Sequence, residues 1–143
     1  MMPQLEFRRL GIRDYATTVG EMRSWTQTRA PDTADEIWFL QHQPVYTQGV
    51  SCSESVRDGG TDIPLVKSDR GGQITYHGPG QLVAYMLLDL RRLGLGVRQL
   101  VSLMEASVIE VLDQFGLKAV VRSGAPGVFI IGEKIAALGL RVR

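Results

Sequence analysis

The chain has 143 residues, 44% of them hydrophobic and 22% charged, the range of one ordinary globular domain rather than a disordered or fibrous chain. Sixteen Lys and Arg against fifteen Asp and Glu give a formal charge of +1, with no single-sign run that would mark a nucleic-acid stripe or a polybasic membrane anchor. The start MMPQLEFRRL has no signal-peptide pattern, no apolar stretch reaches the ~18 residues of a membrane span, and one cysteine, Cys52, with two distant histidines makes neither a disulfide nor a zinc site; a cytoplasmic protein without a metal is expected.

In chain order, Leu5 to Leu10 reads as a strand, and Asp14 stands as the N-cap of a helix that carries Tyr15, Val19 and Met22 on one side and ends near Ala30 and Pro31. Glu36 to His42, with Ile37, Trp38, Phe39 and Leu40 in succession, suggests a strand buried on both faces and closed by Pro44. A loop is expected next, with the Ser- and Gly-rich stretch Gly49 to Gly60 at the surface, before Ile63 to Lys67 resumes strand character. Gln81 to Leu90 follows Gly80 and suits an interior strand.

Val97, Leu100, Val101, Met104, Val108, Val111, Leu112 and Phe115 recur at helical spacing, and Gly116 ends that helix. Ala119 to Arg122, Val128 to Ile131 and Ile135 to Val142, separated by Gly124, Pro126 and Gly132, read as a small meander. No repeat or linker divides residues 1–143, so a single domain is expected. The order strand, helix, strands, helix, strands predicts an α/β protein of the α+β kind, a mixed sheet flanked by helices, rather than a parallel dinucleotide fold.

The densest chemistry lies in Arg70 to Gln81, RGGQITYHGPGQ. Glycines are costly to order, so their concentration here suits either close backbone approach to a ligand or a tight hairpin with a turn at Gly78-Pro79-Gly80. Gly71 and Gly72, beside Arg70, could offer N–H groups to a carbonyl or phosphate oxygen. His77 at a strand end could move a proton or hold an oxyanion, or be structural. The P-loop and dinucleotide glycine spacings are absent, which removes the commonest ATP sites. Lys134 opens the apolar run Ile135, Ala136, Ala137, Leu138, Gly139 and is either a solvated lysine or one that stabilises a thiolate; the small residues leave room for an acyl chain or for tight packing. Cys52 has Glu54 nearby and no adjacent cation, so it is read as incidental.

Ser68 to Val83, SDRGGQITYHGPGQLV, resembles the signature of the lipoyl(octanoyl) transferases, and DEIWFLQHQPVYTQG, LGVRQLV and APGVFIIGEKIAALGLRVR are similar to that family's other blocks in the same order. The resemblance implies the fold of the biotin and lipoate protein ligase catalytic domain. It also implies transfer of an octanoyl group from octanoyl-acyl carrier protein to a lysine of lipoyl domains, those of 2-oxoacid dehydrogenases and of glycine cleavage H protein, with no cofactor.

The chemistry so implied is covalent: a cysteine thiolate takes the acyl group and the acceptor lysine displaces it. Lys134 corresponds to the family lysine that lowers the cysteine pKa. Arg70, Gly71, Gly72, Gln73, Ile74, Thr75, Tyr76 and His77 correspond to the wall of the acyl and carbonyl pocket, and Ala137, Leu138 and Gly139 to a second wall. In the family a Phe-His-Gly block and then the nucleophilic cysteine follow the position of Arg143, and neither is among these residues. The expectation is a domain incomplete at its C-terminus, inactive alone, with an exposed edge along an apolar strand Leu138 to Val142.

Two other readings compete. An ATP-dependent lipoate or biotin ligase would place an aspartate after His77, where Gly78 stands, or carry a Gly-Arg-Gly-Arg pattern, which is absent. A non-catalytic fragment that binds the acyl chain or the carrier protein would need neither cysteine nor ATP.

Overall fold

The computed structural model describes residues 4–51 and 62–143. Cys52 and most of the expected surface loop Gly49 to Gly60 lie outside the described residues. The chain forms two compact units, Met1–Asp89 with Leu140–Arg143, and Leu90–Gly139.

The first unit begins with β1 (Leu5–Arg13), α1 (Tyr15–Thr28) and β2 (Asp35–His42). The Asp14 carboxylate accepts the Thr17 N–H at 3.0 Å, which satisfies one of the donors a helix start leaves unpaired. The helix stops at Thr28, earlier than expected, because Arg29 turns extended and its guanidinium reaches Asp35 at 2.8 Å, while Pro31 disfavours helical backbone at Ala30. β1 runs parallel to β2. β3 (Val45–Gln48), β4 (Leu65–Lys67), β5 (Ile74–His77) and β6 (Val83–Leu87) follow.

These strands form two mixed three-stranded sheets, β1-β2-β6 and β4-β3-β5. In β2, Trp38, Leu40 and His42 are buried, whereas Ile37, Phe39 and Gln41 on the other face are half-exposed. The expectation of burial on both faces therefore holds for one face only: on the other, Phe39 stacks at 6.1 Å on the ring of Phe7, which is itself 63% exposed. Each of Trp38 and Leu40 contributes about 1.5–3 kcal/mol by leaving water. β6 lies at a sheet edge among the described residues, not in the interior, because β2 takes the central place between it and β1.

The second unit holds α2 (Leu90–Leu93), α3 (Val97–Gln114), β7 (Val120–Arg122), β8 (Ala125–Ile130) and β9 (Glu133–Ala136). α3 ends as its spacing predicts: Gly116 takes φ 73°, its N–H reaches the Asp113 carbonyl at 2.9 Å, and the Leu117 N–H reaches that of Leu112 at 3.0 Å, a Schellman closure that a Cβ would oppose. β7, β8 and β9 form the expected antiparallel meander. The final strand is shorter than the sequence suggests. It stops at Ala136, so there is no strand over Leu138 to Val142; Leu140–Arg143 instead joins the first unit, where Arg143 pairs with Asp69 and the Leu140 carbonyl accepts the Gly71 N–H at 3.4 Å. Mixed and antiparallel sheets with three helices make this an α/β fold, as expected.

Candidate functional site

β3 and β5 pair antiparallel, Val45 with His77 and Thr47 with Thr75. Alternation then sorts their side chains. Val45 and Thr47 point to the buried face with His77, while Tyr46 and Tyr76 share the other face with rings 5.3 Å apart. The stretch Gly78–Gln81 is a turn in which the Gln81 N–H reaches the Gly78 carbonyl at 3.2 Å, with Pro79 at the second position and Gly80 at φ 93°, a type II turn.

Arg70 does not extend from its loop. Its Nη1 donates to the Gly71 carbonyl at 2.8 Å, and its Nη2 reaches the carbonyls of Thr47 at 2.9 Å and Gln73 at 2.7 Å. Nη2 and Nε also meet the Thr47 hydroxyl at 2.8 and 3.2 Å. An arginine has five N–H groups and no acceptor, so this set leaves one Nη1 N–H for any further partner. The guanidinium acts as a brace that holds the loop carbonyls inward. Gly49, Val50 and Ser51 tie the far side of the loop, donating to the carbonyls of Gln73, Arg70 and Gly72 at 3.1 to 3.2 Å.

His77 faces the Gln81 side-chain oxygen through Nδ1 at 2.7 Å and the Thr47 hydroxyl through Nε2 at 3.3 Å. Burial lowers its pKa, Gln81 opposes that, and the Arg70 charge adds to the lowering. His42 is wholly buried 5.9 Å away, ring to ring. Its Nδ1 faces the Arg13 carbonyl at 3.0 Å, which can only accept, so Nδ1 carries the proton and Nε2 accepts from the Tyr85 hydroxyl at 2.7 Å. Burial lowers the His42 pKa and raises that of Tyr85. Tyr15 on α1 completes the cluster, its ring stacked 6.3 Å from His77 and edge-on to His42 at 5.2 Å.

Of the residues singled out in the sequence, Arg70, Gly71, Gln73 and His77 thus meet around Thr47, and Ile74, Thr75 and Tyr76 form the strand that carries His77. Gly72 takes φ 94° at the loop apex. Gln81 closed the segment Arg70 to Gln81 and Thr47 and His42 stood in the block Asp35 to Gly49, but none of them, nor Tyr85, was assigned a role; a loop was expected after Pro44, and four residues of Val45–Gln48 are too short a run to show a period.

In the second unit, Lys134 is exposed on β9, its Nζ 5.6 Å from the Phe129 ring centroid. Gly127 holds φ 130°, and a Cβ there would lie 2.6 Å from the Ala136 carbonyl and 3.2 Å from Lys134 Cε. Its N–H is held by Glu105 of α3 at 3.1 Å. The aliphatic stem of Lys134 therefore lies in space that only glycine leaves open. Ala137, Leu138 and Gly139 follow β9 without regular structure and lead directly into Leu140.

Among the described residues no His, Cys, Asp and Glu cluster could hold a metal, and no helix is long and apolar enough to cross a membrane. An open groove of about 540 Å³ lies on the half-exposed face of β2, between Phe7, Phe39 and Leu82; no residue of the Arg70–His77 loop lines it.

Residues 14–143 match the lipoyl protein ligase A/B catalytic domain. The chain is 59% identical over 143 residues to an octanoyltransferase of Aromatoleum aromaticum, covering 99% of this chain and 61% of that protein. It is 53% identical over 141 residues to an octanoyltransferase of Ectopseudomonas mendocina, covering 99% and 69%. Among solved structures it is similar to a bipartite lipoate protein ligase of Thermoplasma acidophilum, with TM-score 0.69 and 17% identity over 92% of this chain and 52% of that one. A lipoate-protein ligase A solved with ATP aligns with TM-score 0.66 and 16% identity over 94% and 55%. The chain spans about three-fifths to two-thirds of the length of these curated relatives. With agreement of this extent, it belongs to the lipoyl protein ligase A/B catalytic domain family, among its octanoyltransferases.

Proposed function

We propose that this chain supplies the substrate loop and the activating lysine of an enzyme that moves an octanoyl group from octanoyl-acyl carrier protein to a lysine of a lipoyl domain, a step in making protein-bound lipoate. The observation that supports it is the 59% identity with an octanoyltransferase along essentially the whole chain. The 17% likeness to a lipoate protein ligase speaks only for the fold, and the second reading, an ATP-dependent ligase, has no observation of its own.

In this reading residues 1–143 belong to one catalytic domain acting in the cytoplasm, and the acceptors are lipoyl domains of 2-oxoacid dehydrogenases and glycine cleavage H protein. A cysteine thiolate attacks the donor thioester carbonyl. The bond to the carrier's sulfur breaks, and the acceptor amine then displaces the enzyme sulfur. Lys134 stabilises that thiolate by its positive charge. The Arg70–His77 segment is one substrate-binding part in this reading and Ala137, Leu138 and Gly139 are another; each acyl methylene taken from water is worth about 0.8 kcal/mol. Arg70 serves by shaping the loop, its own N–H groups being largely committed to protein carbonyls.

Intact mass of the natural protein before and after incubation with octanoyl-acyl carrier protein tests this. Gain of a hydroxylamine-labile octanoyl group, lost with Lys134→Ala, is expected. Adenylation of free octanoate by ATP would overturn it.

A further inference from the structure

Thr47 lies in the block Asp35 to Gly49 but was given no role of its own there, yet it is wholly buried and its hydroxyl is the meeting point of the site. Three groups lie within reach: Arg70 Nη2 at 2.8 Å, Arg70 Nε at 3.2 Å and His77 Nε2 at 3.3 Å. The guanidinium can only donate, so the hydroxyl accepts from Arg70 and keeps its own proton for another acceptor. The state of His77 is set from its other side. Its Nδ1 faces the Gln81 side-chain oxygen at 2.7 Å, and that amide is oriented because its nitrogen donates to the Tyr76 carbonyl at 3.1 Å. Nδ1 must therefore carry the ring proton, and Nε2 presents a lone pair to Thr47. Every donor points the same way along the series Arg70, Thr47, His77, Gln81, Tyr76 carbonyl, the arrangement in which successive hydrogen bonds polarise one another.

We infer that Thr47 is a positioning residue: its hydroxyl joins the Arg70 brace to His77, donates to the Nε2 lone pair of the Nδ1–H tautomer that Gln81 sets, and thereby keeps the loop Arg70–Gln73 and the His77 ring in one fixed relation. The ring is enclosed by Thr47 of β3, Arg70 of the loop, Tyr15 of α1 and His42 of β2; Arg70 is the permanent cation among them. The methyl of Thr47 is incidental to this role and the hydroxyl is essential. Serine preserves the joint. Valine keeps the shape but removes the acceptor from Arg70 and the donor from His77.

The consequence for octanoyl transfer rests on the function proposed above, whereas the tautomer does not. Imidazole ¹⁵N NMR of the natural protein therefore tests the inference, with His77→Gln used to assign the signals. Wild type and Thr47→Ser should show His77 as a neutral ring protonated at Nδ1. Thr47→Val should keep the Nδ1–H tautomer that Gln81 sets but move the Nε2 resonance downfield, with the protonation midpoint moved upward by about half a unit or more as a hydrogen bond to the neutral form is lost. Identical His77 spectra in wild type and Thr47→Val, or an Nε2–H ring in wild type, would overturn it. Should the valine variant not fold, Thr47→Ala takes its place: a shifted Nε2 resonance supports the inference and an unchanged one overturns it. A protein that transfers no octanoyl group would refute the proposed function and leave this readout unchanged.

Discussion

The Gly72 carbonyl occupies the space that a side chain on Gly49 would need, with Arg70 Nη1 close behind it. Gly49 is thus required for close approach, not for unusual backbone angles. Gly49→Ala must push the Arg70–Gln73 loop away from β3, at a cost of about 1–3 kcal/mol by analogy with overpacking. Urea unfolding should show that loss, and the His77 signals should shift with it. A variant as stable as wild type would mean that the loop sits farther from Gly49 than described.

The Arg29 guanidinium lies 2.8 Å from Asp35, whose side chain is 2% exposed, and the same carboxylate accepts the Asp89 N–H at 2.9 Å. Removing one partner of a buried pair leaves a charge where water cannot reach it. Arg29→Ala should cost about 3–5 kcal/mol, read from the urea midpoint; a loss of only a few tenths would show that the pair behaves as a surface one.

His42 and His77 both have folded-state pKa values lowered from 6.5, chiefly by burial. The unfolded chain therefore binds more protons just below pH 6.5, and stability must rise with pH through that window, be complete above it, and fall as the solution is acidified. Asp14, lowered from 3.8 by the Thr17 bonds, acts in the same direction at lower pH, so the two windows separate. Chemical unfolding across about pH 5 to 8 should give this slope, and His77→Gln should reduce it. A flat profile in wild type would contradict the description of both rings.

Ile131 is 96% exposed and takes φ 48°, followed by Gly132 at φ 80°, between the paired residues Ile130 and Glu133. Positive φ at both positions is a type I′ hairpin turn, for which Asn-Gly is preferred. A β-branched residue there is strained by about 1–2 kcal/mol. Ile131→Asn should stabilise the chain by up to about 1 kcal/mol, seen as a higher melting temperature, unless Ile131 makes contacts in a larger assembly.

The parts of the fold readable in sequence are those whose cause is local. Asp14 announces α1 because capping needs only a carboxylate three residues before an N–H. Gly116 announces the end of α3 because the left-handed closure acts within one turn. The end of β9 could not be read in this way: Ile135 to Val142 is apolar but for Arg141, and what ends the strand is Leu140 and Arg143 finding partners near residues 69 to 71. The same distinction divides the site. Arg70, His77 and the glycines stand together in one segment, but Thr47 has no local sign of its role, since its partners lie 23 and 30 residues away, and His42 meets Tyr85 across 43.

Those separations also bear on how the protein folds. Bonds between Thr47, Arg70, His77, His42 and Tyr85 can form only after β3, β5 and β6 have been brought back across long stretches of chain, and such closure must precede any gain from the contacts. We predict that the polar cluster forms late, with little of its energy present at the folding barrier. Substitutions within it should accelerate unfolding while barely slowing refolding, which would make the lifetime of the native chain, more than the speed of reaching it, the quantity that this cluster governs.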